Sequence, residues 1–297
     1  MPDYAGILAD GLNYEKGAAF AHALDCYETV ARSAAPPGLV AEAWCRASSV
    51  HRVQCDWERA LAAARQSAAV ADEAELSDQY AEALNAEAVV HQLRGEFDVA
   101  VPLFEQILST TSDFRVRGMA LQNLGAIAAQ RGGHEQAESY FNESSQCFKA
   151  AGYAWGEAIA LNNYAALLLD QKRYQLARDI GAIAVEAARR VEDSELLGIT
   201  MLNCAEASAG EGNVSEAEDL ASTALGYFKT ARNPLRQIEC LRLLGDINVS
   251  QNSVGPATRC FAEGLRLAEE LGAVHEIEKL RARVARLQRD DARSDPT

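Results

Sequence analysis

Apolar residues recur along most of the chain at spacings of three and four, the period of helices with one buried face. The segment 121–148 shows it best. Leu121, Leu124, Ile127 and Ala128 form one stripe, and Gly132-Gly133 stops it, because glycine takes the left-handed conformation that closes a helix end. A second stripe follows in Ala137, Tyr140, Phe141, Ser144 and Phe148. The pattern predicts two helices folded into a hairpin. Gly125 and Ala137, twelve apart, mark their crossing, where the lack of bulk lets the backbones approach closely.

The rest of the chain repeats this unit. The second small residue returns as Ala23, Ala60, Ala100, Ala137, Ala177, Ala217 and Ala257, at intervals of 37 or 40 residues. The first keeps its distance of twelve as Gly11, Ser48, Ala88, Gly125, Ala165, Ala205 and Gly245. Seven copies with a locked internal spacing predict a helical solenoid, in which each unit packs only on its neighbours. The turns are predicted at Gly17, Cys55, Gly95, Gly132, Lys172-Arg173, Gly212-Asn213 and Asn252, with Asp3 as an N-cap and a capping box between Asn213 and Glu216. A final helix over about 273–289 carries the stripe Ile277, Leu280, Val284 and Leu287, is charged elsewhere, and is expected to close the stack. One repeat domain over 1–290 and a disordered tail at 291–297 complete the expected organisation.

The units resemble the tetratricopeptide repeat. Trp44 and Ala60, the pairs Leu124-Gly125 and Leu244-Gly245, and the aromatic residues Tyr14, Tyr27, Phe104, Phe141 and Phe261 carry the likeness, over roughly residues 4–270. The usual unit is about 34 residues; these longer ones are similar to the repeats of kinesin light chains, of polarity adaptors and of bacterial peptide-pheromone regulators. Asn162-Asn163 before Tyr164-Ala165 is particularly like the kinesin light chain unit. The resemblance implies an all-α, right-handed superhelix of seven hairpins and a capping helix, with the first helix of each hairpin lining a concave groove.

Composition narrows the partners. A net charge of −15 disfavours contact with phosphate backbones, so nucleic acid is excluded as a partner. No apolar run is long enough to span a membrane, and the N-terminus lacks the pattern of a signal peptide. Seven cysteines without a C-x-x-C pair read as reduced thiols in the cytoplasm, Cys204 in a core slot. His51 and His91 share one slot forty residues apart, but no third ligand joins them; buried core imidazoles are the simpler reading, and no metal site is expected. No phosphate loop, nucleophile elbow or paired acid-base carboxylates occur, so neither catalytic residues nor a cofactor are expected.

The candidate site lies on the first helices. Asn123, Asn163 and Asn203 stand two residues before the first small position in successive units, and Asn85, Gln122 and Asn162 stand three before it. With helices ~10 Å apart, three such amides span ~20 Å, about six residues of extended chain. An amide both donates and accepts, so the ladder suits the backbone of a bound peptide; bonding between neighbouring helices is the other reading, and both stay open. Arg46, Arg52 and Arg242 are expected to hold acidic side chains or a terminus. The slots do not reproduce the carboxylate clamp of chaperone-binding relatives. The expected function is a non-catalytic scaffold or adaptor for a protein or peptide partner; the alternative, implied by the pheromone-regulator resemblance, is a sensor that closes around a peptide signal. Self-association through an exposed apolar end is a further expectation.

Overall fold

The computed structural model describes the backbone of residues 2–294 and the side chains of residues 2–289. Fifteen helices and no strand occur among the described residues. The chain divides into two compact units, Met1–Gly152 and Tyr153–Thr297.

The first unit holds four hairpins: α1 (Tyr4–Lys16) with α2 (Phe20–Ala31), α3 (Pro37–Val53) with α4 (Trp57–Glu73), α5 (Ser77–Leu93) with α6 (Phe97–Thr110), and α7 (Phe114–Gln130) with α8 (His134–Ala150). The second holds three, α9 (Ala154–Asp170) with α10 (Tyr174–Arg189), α11 (Ser194–Glu211) with α12 (Val214–Thr230), and α13 (Pro234–Ser250) with α14 (Val254–Leu271), followed by α15 (Val274–Ser294). This is the expected all-α solenoid fold of seven hairpins and a final helix. Of the expected tail, residues 291–294 continue α15, and 295–297 lie outside the described residues.

Each hairpin is held by fitted volumes at its crossing. Where the first helix offers glycine, the second offers an aromatic ring sixteen residues later: Tyr27 over Gly11, Phe141 over Gly125, Phe261 over Gly245. A Cβ at those glycines would sit 2.5, 2.8 and 2.2 Å from the ring. Where the first helix has Ser48, Ala165 or Ala205, the second has Ala64, Gly181 or Ala221, so a small pair replaces the glycine–ring pair. Hydroxyls seal further contacts. Ser48 Oγ donates to the Ala60 carbonyl at 2.8 Å, across the two small positions, and Ser144 Oγ donates to that of Gly118 at 2.7 Å. The rings are almost wholly buried, and apolar clusters run through successive hairpins within each unit.

The hairpin turns obey one register. The residue five before each second-helix alanine is left-handed: Ala18, Cys55, Gly95, Gly132, Lys172, Gly212 and Asn252, with φ between 56° and 91°. This corrects the first turn. Gly17 has φ −82°, and Ala18 next to it takes the left-handed conformation, because packing of the two helices fixes the turn position whatever residue stands there. The capping box is also corrected. Asn213 makes no cap bond; its amide donates to Glu211, and Glu216 accepts from Ser208 Oγ. The side-chain caps are Asp3, Asp56, Asp113, Asp193 and Asn233, while Pro37 and Pro234 start their helices, where a missing N–H costs nothing.

Candidate functional site

The first helices α3, α5 and α7 enclose a cavity of about 390 Å³ within the first unit. Its lining follows one stripe of each helix. Counted from the first small residue, the contributing positions lie ten, six, three and two before it, and one and four after it, all on one helical face. Arg46, Arg52 and Asn85, chosen from the sequence, therefore meet in one place. Glu42, Glu82 and Arg115 join them. These three were missed because they stand one or two turns further from the small residue than the slots first considered.

The cavity carries a surplus of positive charge. Arg115 pairs with Glu82, and Arg46 approaches Glu42 to 3.7 Å. The Arg52 guanidinium makes no ion pair among the described residues. Asn85 is 9% exposed, and its Oδ1 has no hydrogen-bond partner; the same holds for Oε1 of Gln92, two helical turns along α5. Cys45 donates weakly to the Glu82 carbonyl at 3.9 Å. Burial, reinforced by the Glu82 charge and opposed by Arg46 and Arg115, pushes its thiol up to about 12, so it is an inert part of the wall.

The remaining candidates lie elsewhere. Asn123 Nδ2 donates to the Met119 carbonyl of its own helix at 3.0 Å, and Gln122 beside it is half-buried. In the second unit, Asn203 Nδ2 donates to Asn162 Oδ1 at 2.9 Å, joining α11 to α9, while Asn163 is half-buried next to it. That bond belongs to the helix-stacking reading of the ladder. Arg242 turns towards α15, with its Nε 4.0 Å from Glu276. His51 and His91 are 8% and 7% exposed. His91 Nδ1 lies 2.6 Å from Glu96, whereas His51 Nδ1 has no partner, and burial lowers its pKa. Among the described residues no group of three or more His, Cys, Asp or Glu is placed to hold a metal, and no helix is long and apolar enough to cross a membrane.

A tetratricopeptide-repeat family profile matches residues 156–230, which span α9 to α12 almost completely. The match covers two of the seven hairpins, α9–α10 and α11–α12. No curated protein matches the chain by sequence. Among solved structures, the chain is similar to a Signal Transduction ATPase with Numerous Domains from Pyrococcus horikoshii that carries a tetratricopeptide repeat sensor. The TM-score is 0.74 at 13% identity, over 94% of this chain and 44% of that one. It is similar to the apo form of the quorum sensor NprR from B. thuringiensis, with TM-score 0.67 and 16% identity over 88% and 75% of the two chains. A Rap protein complexed with Competence and Sporulation Factor gives TM-score 0.62 at 15% identity, over 98% and 76%. At these identities the likeness concerns the fold.

Proposed function

We propose that the chain is a non-catalytic scaffold that holds an extended peptide, or a helix of a partner protein, on its first helices, anchored in the α3–α5–α7 cavity. The observation that carries the reading is the meeting of Arg46, Arg52 and Asn85 around one space. Three arginines against two glutamates leave one positive charge for a carboxylate, in a chain whose net charge is −15. Asn85 Oδ1 and Gln92 Oε1 want donors. A buried acceptor without a partner costs ~1–3 kcal/mol, which a bound peptide N–H relieves. Gln122 and Asn123 are secondary contacts in this reading, and Asn162 and Asn203 chiefly hold the stack. Seven free thiols support a reducing, cytoplasmic setting.

The test is the double substitution Arg52→Glu and Asn85→Ala, with circular dichroism as the fold control. Capture from an array of acidic peptides is expected to weaken at least about tenfold, since a like charge replaces the anchor. An unchanged binding profile would remove the cavity from the function.

A second reading is a sensor of a peptide signal, favoured by the similarity to the quorum sensor and to the factor-bound Rap protein. Hydrogen exchange with the captured peptide separates the two. A scaffold gains protection in α3, α5 and α7 alone; a sensor changes protection in helices that line no part of the cavity.

A further inference from the structure

The second unit carries a surface of different chemistry. The positions that line the α3–α5–α7 cavity recur on α9 and α11, ten, six, three and two before the small residue and one and four after it. On these two helices they are filled differently. Trp155, Ile159 and Leu169 stand on α9 and Ile199 on α11; Trp155 is 42% exposed and the other three are half-buried. The two helices lie side by side, tied by the Asn203–Asn162 bond. Glu195 and Glu206 are the charged residues of the stripe, both exposed, and no Lys or Arg occupies any of these positions on either helix.

The repeat does not require these apolar side chains. At the position of Ile159 and Ile199, the helices α3, α5 and α13 carry Glu42, Glu82 and Glu239. At the position of Trp155, α7 and α11 carry Arg115 and Glu195. The stack therefore accepts charge at the same places, and packing within it does not account for the apolar patch. Trp155 leans on Tyr153, with ring centroids 6.1 Å apart, and leaves the rest of its indole open. An indole in that position is the side chain most often found at the centre of a protein contact.

The carboxylates set the sign and the shape of the partner. Asn233 Nδ2 donates to Glu195 at 2.7 Å, which leaves its charge in place, and neither carboxylate makes an ion pair among the described residues. Eleven residues of α11 separate the two, a rise of ~16.5 Å. A helix laid along the groove spans that distance with residues eleven apart, which stand within ~20° of one face. An extended chain spans it with about five residues, whose side chains then point to opposite faces. We infer that α9 and α11 dock a basic amphipathic helix of a partner protein. Its apolar residues rest on Trp155, Ile159 and Ile199, and two of its Lys or Arg residues, eleven apart, pair with Glu195 and Glu206. The surface uses none of the residues of the α3–α5–α7 cavity.

Fluorescence anisotropy with a labelled peptide of about 18 residues tests the assignment, its Leu residues on one helical face and two Lys eleven apart on that face. One peptide is expected to bind each full-length chain at low salt. Replacing both Lys by Glu should weaken binding at least about tenfold, and so should a central Pro, which breaks the helix. In the chain, Trp155→Ala should weaken binding at least about tenfold. Glu206→Lys, from an exposed position, should do the same and should bind the Glu peptide better than the unaltered chain does. Should either variant change the circular dichroism spectrum, Glu206→Gln should still weaken binding about threefold. Arg52→Glu should leave it unchanged; a loss there would place the peptide in the α3–α5–α7 cavity and overturn the proposal. Absent binding of the basic peptide, equal binding of the Glu or Pro peptide, full binding by the Trp155 and Glu206 variants, or self-association of the chain that Trp155→Ala abolishes would each overturn it too.

Discussion

At the scale of single residues, the fold rests on pairs of fitted volumes rather than on any one large side chain. Gly245 is the sharpest case. A methyl group there would lie 2.2 Å from Phe261 Cε1, closer than packed carbon atoms come, so the ring or the helix must shift to admit it. Gly245→Ala is therefore expected to lower stability by about 1–3 kcal/mol, the usual cost of overfilling a packed site. Gly226 provides the opposite sign. It lies inside α12, and a Cβ added there would meet no atom within 4 Å. Gly226→Ala should raise stability by about 0.5–1 kcal/mol through helix propensity alone. Urea unfolding of both variants, read by circular dichroism, checks the pair. Phe261→Leu combined with Gly245→Ala should recover part of the loss; no recovery would mean that the ring is not what resists the methyl.

At the scale of elements, the turn register was legible because packing had marked it. The alanines at 37- and 40-residue intervals locate every second helix, and the left-handed residue stands five before each. Its chemistry is less regular than its position: Ala18, Cys55, Lys172 and Asn252 serve where Gly would be easiest. A non-glycine residue there costs ~1–2 kcal/mol, partly offset by the greater freedom glycine has when unfolded. Lys172→Gly is expected to stabilise the second unit by up to about 1 kcal/mol, seen as a higher urea midpoint; a fall would show that the Lys172 side chain contributes more than its backbone conformation costs. The final helix was legible in the same way. Ala285 stands forty residues after Gly245, so α15 is in first-helix register, yet Glu278, Arg281 and Gln288 are exposed where α11 buries Gly198, Met201 and Ser208. Polar residues on the face that elsewhere receives a second helix are what a closing element requires. The site was legible only in part. The repeat interval brought Arg46, Arg52 and Asn85 to one face, but the bonds of Asn203 to Asn162 and of Asn123 to Met119 depend on side-chain rotamers, which spacing does not specify.

At the scale of the whole molecule, charge is the property that no single hairpin reveals. Two effects of added salt compete. Exposed pairs such as Arg32–Glu28 and Arg266–Glu270 are i,i+4 contacts on helix surfaces, and each contributes only ~0.3–0.5 kcal/mol that salt diminishes. Against them stands a net charge of −15, whose mutual repulsion is relieved when the chain expands. That repulsion acts between many charges at once and over distances comparable with the ~10 Å Debye length at 0.1 M, so screening removes much of it. The pairs sit at contact distance, where screening acts least. The repulsive part should therefore change more, and the folded chain should gain stability with salt. The expected outcome is a thermal midpoint that rises by several degrees between about 0.02 and 0.5 M sodium chloride. Potassium chloride should act alike, because screening depends on ionic strength and not on the cation. A midpoint that falls over this range would show that the ion pairs outweigh the excess of carboxylates, and it would place local pairing, rather than net charge, in control of this chain's electrostatics.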